Sequence, residues 1–397
     1  MHQSGLRYFN PALVFIVGFL FFVVLPIIYY KESDYNIIVL SCIMLLSYLL
    51  GHFFVILSRL NSSSRKVKLR FRHSEKILRL CCYFFLSISL LKLLVYFVYG
   101  VETGSYSEKY SGRSTLELYL QLFDKLTFVF SLVFLSLLSS KGRNWYYLIA
   151  VTSVFISFLD GTRLVLVFSL VYWTMLGVAF NYVKVSFLKF SAAIVIAPFL
   201  FSFLLLKRVY HFEGSPFKLA AFLYEKLDLS IIVDSMEVGL ETFQSYLTFK
   251  QVIADQLIEP TSGYIRLLFM PIPRGVWSDK PESLSRLIAN EYFPGAYASG
   301  GGQIAGPLGD AYINGGFVAI IIVWFVLGFT LSYMFRKFKV MIISGTDEAK
   351  VYYTVLYFIC FSYFIYSLRG FGSDFFWVFL FNMIVLWFCE KIFFVKD

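Results

Sequence analysis

Runs of about twenty residues with almost no charge recur along this chain. A run of that length is what a helix needs to cross the roughly 30 Å hydrocarbon core of a bilayer. They fall near residues 10–30, 36–58, 77–99, 120–140, 145–160, 163–182, 187–206, 313–335, 351–367 and 373–394. Hydrophobic residues make up 59% of the sequence and charged residues 15%, against about 25% charged in a typical soluble domain. A soluble core has no room for so much apolar surface, so lipid must solvate much of it. The expected fold is all-α and polytopic, with about ten transmembrane helices. The first run, Pro11–Ile28, is too long for a signal-peptide core and lacks a small-residue cleavage site, so it is expected to remain as the first span.

The formal net charge of +10 would suggest nucleic acid or an acidic partner in a soluble protein. Here its distribution follows membrane topology. Alternate loops carry Arg59, Arg65, Lys66, Lys68, Arg70, Arg72 and Lys76, then Lys141 and Arg143, Lys184 and Lys189, and finally Arg336, Lys337, Lys339 and Lys350. The intervening short loops are poorer and mixed, with Lys31 beside Glu32 and Asp34. By the positive-inside rule the basic loops are cytoplasmic and both chain ends lie inside. Three parts follow: 1–206 with seven spans, a large extracytoplasmic (periplasmic) loop at 207–312, and 313–397 with three spans.

A loop of that length is too long for a tether. Phe217–Val238 and Glu241–Leu257 have helical spacing, and a Pro-punctuated segment (Phe269–Pro281), a short helix (Glu282–Glu291) and the glycine-rich Gly300–Asp310 follow. The cysteines, Cys42, Cys81, Cys82, Cys360 and Cys389, all lie in or beside apolar runs, so neither a disulfide framework nor a zinc site is expected. His211 is the only histidine of the large loop and has no nucleophile arranged around it. Gly300-Gly301-Gly302 lacks the Lys-Ser/Thr of a phosphate loop. The phenylalanines and tyrosines read as lipid-facing and packing groups, which sets nucleic-acid binding aside.

Ionisable groups beside apolar runs are costly to keep and are site candidates by default. On the outer side these are Arg163 after Asp160-Gly161-Thr162, Lys207 and Arg208 leaving the seventh run, Arg266, Arg274, Lys280 and Arg286 in the large loop, and Arg369 in Ser367-Leu368-Arg369-Gly370-Phe371-Gly372-Ser373-Asp374. Their convergence would make an anion site at the membrane surface, because guanidinium forks match phosphate oxygens. For each of them the competing reading is a local carboxylate partner or a lipid headgroup. Arg274 and Arg369 stand out because proline or glycine holds them in tight turns.

In architecture the chain resembles the Wzy-type O-antigen polymerases. The residues that carry the resemblance are Pro273-Arg274 with Trp277 and Lys280-Pro281, and Gly306-Pro307-Leu308-Gly309-Asp310-Ala311-Tyr312-Ile313-Asn314-Gly315-Gly316 leading into a span. Arg369-Gly370 and Gly161-Thr162-Arg163 add to it. The R-x10-G spacing of some members has no counterpart at Arg163, Arg208, Arg266, Arg274 or Arg286. The resemblance implies a GT-C-like glycosyltransferase architecture. It also implies a reaction in which undecaprenyl-diphosphate-linked oligosaccharide repeats are polymerised at the periplasmic face, with a chain-length-regulating co-polymerase as a partner besides the membrane lipids. Neither a cofactor nor a metal is required, since the donor is already activated. On this reading Arg274 and Arg369 grip the donor diphosphate, Arg163, Lys280, Arg266 and Arg208 assist, and Asp310 orients or deprotonates the acceptor hydroxyl. Asp374, which also counts among the substrate-binding residues, Asp160, Asp279 and Glu291 are the other candidate bases. Tyr292, Tyr297 and Tyr312 read as interfacial anchors or as walls of a sugar channel. The alternatives are an O-antigen ligase, which shares the lipid-diphosphate donor, and a flippase or transporter for lipid-linked sugars, which should carry charge along several span centres.

Overall fold

The computed structural model describes residues 5–31, 34–58, 69–103, 115–160, 163–186, 188–189, 192, 206, 212–226, 241–269, 272 and 276–396. Six helices are long and apolar enough to cross a membrane. They are α1 (Pro11–Tyr29), α2 (Tyr35–Leu57), α3 (Glu75–Tyr99), α11 (Gly316–Ser344), α12 (Asp347–Arg369) and α13 (Gly372–Phe393). Between α3 and α11 in the chain come α4 (Thr115–Ser140), α5 (Arg143–Asp160) and α6 (Arg163–Ala179), then the shorter α7 (Pro216–Glu225), α8 (Glu241–Ala254), α9 (Leu284–Tyr292) and α10 (Gly306–Ile313). The protein is thus a helical, multi-pass membrane protein. Of the ten sequence-derived runs, nine coincide with a helix; the run at 187–206 lies almost wholly outside the described residues.

Local signals set where these helices start and stop. Asn10 caps α1, its Oδ1 accepting from the Ala12 amide at 3.0 Å, with Pro11 at the first helical position. Asp34 caps α2 in the same way through the Asn36 amide at 2.8 Å. Thr346 caps α12 through the Ala349 amide, and α12 stops where Gly370 turns left-handed. A single π-turn, Leu20–Val24, interrupts α1.

The bundle is organised around α12. In its apolar window 72% of residues are buried, against 17–39% in the other five long helices. A helix with no lipid-facing side can tolerate polar side chains such as Thr354 and Ser367, which return their hydroxyls to Lys350 and Tyr363 carbonyls one turn back. The closest helix pair is α2 with α11. They approach so tightly that a Cβ on Gly51 would lie 2.2 Å from the Phe325 carbonyl oxygen, and one on Gly328 2.3 Å from that of Tyr48. Phe15 stacks on Tyr48 with ring centroids 3.7 Å apart and reaches Trp324 and Phe364, so α1, α2, α11 and α12 share one aromatic core.

Two three-residue ribbons fasten the ends of the bundle. β1 (Leu69–Phe71), just before α3, pairs antiparallel with β4 (Phe394–Lys396), just after α13. β2 (Val101–Thr103), just after α3, pairs antiparallel with β3 (Phe212–Gly214). Since α3 separates β1 from β2, the ribbons mark opposite ends. The Thr346 hydroxyl donates to the Leu69 carbonyl at 2.7 Å, placing the α11–α12 turn at the β1 end with many of the basic side chains. At the other end gather the α12–α13 turn, α10 and the segments leading to it.

Three local expectations changed. The helix read over Phe217–Val238 ends as α7 at Glu225, with 227–240 outside the described residues. The last part of the glycine-rich stretch, Gly306–Asp310, opens helix α10. Gly315 and Gly316, at φ 155° and 64°, break the chain between α10 and α11, so the span expected at 313 begins at 316.

Candidate functional site

The candidate site lies at the end opposite β1, where α10, the α12–α13 turn and the 3-10 helix Tyr264–Phe269 meet. α10 begins at Gly306, at φ 67°, followed by Pro307 at the first helical position, and is buried along almost its whole length. Its Gly309 rests against Ala305 and the Phe249 ring of α8, where a Cβ would lie only 2.4 Å from the Ala305 Cβ. That seating points Asp310 inward.

Asp310 is 3% exposed. Its Oδ2 accepts from the Ser373 amide at 3.2 Å, and Oδ1 accepts from the Ser373 hydroxyl. The carboxylate thereby caps the first turn of α13 from a helix 63 residues earlier in the chain. Burial pushes its pKa up to about 7; the bonds from Ser373 and the Gly372 amide pull it down, and the nearby Asp374 charge adds to the rise.

Three polar atoms converge on Gly372. A Cβ there would lie 2.7 Å from Asp310 Oδ2, 2.9 Å from Ser367 Oγ and 3.1 Å from the Tyr264 hydroxyl. Tyr264 and Tyr363 share a hydrogen bond between hydroxyls, and burial holds the Tyr264 phenol well above its ordinary range. Asn314 ties the cluster to the loop: its Oδ1 accepts from the Tyr264 amide at 2.7 Å, and its Nδ2 donates to the Asp310 carbonyl at 2.6 Å. Gly263 is required there, because a Cβ would sit 1.8 Å from Asn314 Oδ1.

Asp374, one residue beyond Ser373, faces another way. Its carboxylate accepts from the amides of Leu284 at 3.0 Å and Ser285 at 3.3 Å, capping α9. Asp374 also lines a narrow recess with Arg266, Gly263, Ser373 and Trp377. Arg369, half-buried in the last turn of α12, lies over the Phe371 ring at 5.3 Å. The N-terminal amides of α13 and α9 are thus occupied by internal carboxylates; among the described residues Arg266 lines the recess and Arg369 stands at the α12–α13 turn.

Of the sequence-derived candidates, the fold gathers Asp310, Asp374, Arg266 and Arg369 around the start of α13. Lys280 is placed in a separate turn, where its Nζ donates to the Ile272 carbonyl at 2.8 Å. Arg286 clamps its own segment, donating to the Tyr297 and Gly301 carbonyls at 2.9 and 3.0 Å and lying 4.0 Å over the Tyr297 ring. Arg163 is the first residue of α6, and its side chain is not among the described groups. Arg208, Arg274 and His211 lie outside the described residues. Tyr264, Tyr363, Ser367 and Ser373 were not singled out as site residues from the sequence. Ser373 carried a signal, since Ser-Asp opening an apolar run is a helix-start pattern; a tyrosine among 28 carried none.

Among the described residues no group of three or more His, Cys, Asp and Glu side chains is arranged to hold a metal ion. No family model, curated protein or solved structure matches the chain.

Proposed function

We propose that this protein joins polyprenyl-diphosphate-linked oligosaccharide repeats at the outer face of a bacterial inner membrane, as a Wzy-type O-antigen polymerase. The observation that carries the reading is the meeting of Gly306–Asp310 with Arg369–Asp374. Gly306–Asp310 belongs to one of the stretches on which the family resemblance rests and Arg369-Gly370 is another; Gly370 packs on Gly306, and just beyond it Ser373 bonds to Asp310.

The topology behind this reading has ten spans, with chain ends and basic loops inside. The ribbons support it. β2 and β3 lie at the same end, which requires an even number of crossings between residues 103 and 212, and four runs were read there. β1 and β4 lie together at the other end, as they should if the loop before α3 and the chain after α13 are both cytoplasmic.

In the proposed reaction a hydroxyl of the incoming lipid-linked repeat attacks the anomeric carbon of the growing glycan. The bond from that carbon to the donor diphosphate breaks, and the diphosphate leaves on its lipid. Negative charge grows on the leaving oxygens as the bond breaks, so fixed guanidinium groups hold the transition state more tightly than the ground state. Arg369 and Arg266 are the described groups given this role, with Arg274 joining them from the resemblance. Asp374, which lines the recess beside Arg266, is the carboxylate assigned on this reading to take the acceptor proton. Asp310 is a positioning residue on this reading: it reaches the site only through Ser373 and the turn that carries Arg369.

The test is the lipopolysaccharide ladder of a deletion strain complemented with variants. Loss of a polymerase leaves core carrying a single repeat, whereas loss of a ligase or flippase leaves core alone. Arg369→Ala, Arg266→Ala and Arg274→Ala should each collapse the ladder to the single-repeat band at normal membrane protein levels. Removal of one such charge costs roughly 100- to 1,000-fold in turnover when it acts on the transition state. Full ladders from all three would overturn the diphosphate assignment, and core alone in the deletion strain would overturn the polymerase reading.

A further inference from the structure

A cavity lies at the opposite end of the molecule from this site. It is about 220 Å³ in volume and opens between the start of α3, the end of α4 and the start of α5. Leu78, Leu137 and Leu138 form an apolar floor, and Glu75, Arg79 and Lys141 stand around it. The Arg79 guanidinium pairs with Glu75 at 2.9 Å. Among the described residues no carboxylate lies within ion-pair distance of Lys141. The pocket therefore carries one positive charge beyond its internal pair.

Two aromatic side chains complete the wall. Tyr83 and Trp145 lie with ring centroids 6.4 Å apart, as expected at the level where headgroups meet acyl chains. Deeper along the same faces, Leu90, two turns beyond Tyr83 on α3, and Leu148, one turn beyond Trp145 on α5, are 46% and 51% exposed. In a membrane helix that surface faces lipid. A ligand in the pocket thus meets a cation and polar rim at its head and open hydrocarbon along its tail. No small soluble anion uses both halves.

We infer that this pocket binds the headgroup of one anionic glycerophospholipid of the cytoplasmic leaflet. The phosphodiester sits between Lys141 and Arg79, the glycerol backbone lies against Trp145, and the acyl chains run along Leu90 and Leu148. A phosphodiester carries a single negative charge, which matches the single unbalanced cation. Basic pockets between transmembrane helices on the cytoplasmic side have the electrostatic character this requires. The bound lipid pins the corner where α3, α4 and α5 meet, and is independent of the reaction at the other end.

The test uses the full-length protein purified in a mild detergent, with native mass spectrometry as the readout. Phosphatidylglycerol and phosphatidylcholine of equal chain length are added together at equal concentration. The wild-type protein should retain one phosphatidylglycerol in preference to phosphatidylcholine by roughly tenfold. The double variant Arg79→Gln/Lys141→Gln should lose the preference. Lys337→Gln/Lys339→Gln, which removes two exposed charges at the same end but outside the pocket, should keep it. Three results would each overturn the proposal: equal retention of both lipids by the wild type, a preference that survives the first double variant, or one that both double variants lose alike. Displacement of the lipid by excess inorganic phosphate would also overturn it, because the acyl contacts would then contribute nothing.

Discussion

Gly370 and Gly306 meet backbone to backbone: a Cβ on Gly370 would lie 2.6 Å from the Gly306 carbonyl carbon, and both residues hold positive φ, 91° and 67°. One glycine ends α12 and the other begins α10. Their contact sets the distance between the α12–α13 turn and the start of α10, because no side chain stands between them.

Gly370→Ala should therefore be among the most damaging small substitutions in the chain. The left-handed conformation alone costs a non-glycine residue about 1–3 kcal/mol, and the added methyl meets backbone that cannot swing aside. The thermal midpoint of the purified protein should fall, and the glycan ladder should shorten with it. Gly142→Ala is the control: it has nothing within 4 Å of the new methyl and should stay within about 0.5 kcal/mol of wild type. Equal midpoints for the two variants would show that the glycine contact is not needed.

Asp310 makes stability depend on pH. Its folded pKa of about 7 lies above the ordinary 3.8. Its contribution is therefore fully present below about pH 4, where both folded and unfolded chains are protonated. It declines as pH rises through the window up to about 7, as the unfolded chain ionises first, and it is lost above that. The full span is on the order of 4 kcal/mol. Asp310→Asn cannot ionise and should flatten the midpoint between pH 4 and pH 8. An unchanged slope in that variant would mean that another group titrates there.

The α2–α11 crossing predicts a contrast between two glycines. Gly51→Ala drives a methyl into the Phe325 carbonyl oxygen and toward the Phe329 amide nitrogen at 2.8 Å, so the helices must part. A loss of about 1–3 kcal/mol is expected. Gly18→Ala meets only the δ-carbons of Leu368, the nearest at 2.6 Å. A flexible leucine tip can turn away, and the loss should be smaller. Unfolding in graded dodecyl sulfate measures both, and an equal or reversed order would count against the packing described.

Asp374→Ala removes the acceptor for the Leu284 and Ser285 amides and should cost about 0.5–2 kcal/mol in cap stability. Apart from the loss of turnover expected of the proposed base, its structural effect is local, so the readout for the cap is limited proteolysis: cleavage between residues 276 and 303 should speed up while the α12–α13 junction stays protected. Asp374→Asn retains an acceptor oxygen and should restore much of the protection. If Asp374→Ala cuts no faster than wild type, α9 does not depend on this cap.

Much of the framework was legible in the residues alone, because each signal was local. Apolar runs near the length of a bilayer marked nine of the described helices. Gly370 marked the end of α12, and the Pro-Gly punctuation bounded the segments of the large loop. The candidate site was legible only in part. Arg369, Asp310, Asp374 and Arg266 could be named because charge beside an apolar run is conspicuous. Arg286 and Lys280 were equally conspicuous and are engaged with backbone carbonyls of their own segments.

The sequence by itself determined that this is a multi-pass membrane protein and marked its apolar helices, since burying a helix in hydrocarbon depends on about twenty consecutive side chains and little else. Only the tertiary structure decided that α12, the least hydropathic of the six long helices, stands at the centre. It alone decided that Asp310 caps α13 while Asp374 caps α9, and that Tyr264 and Ser367 close around Gly372. Those outcomes depend on contacts between residues far apart in the chain, and the periodicity of a single helix does not say which neighbour its buried face will meet.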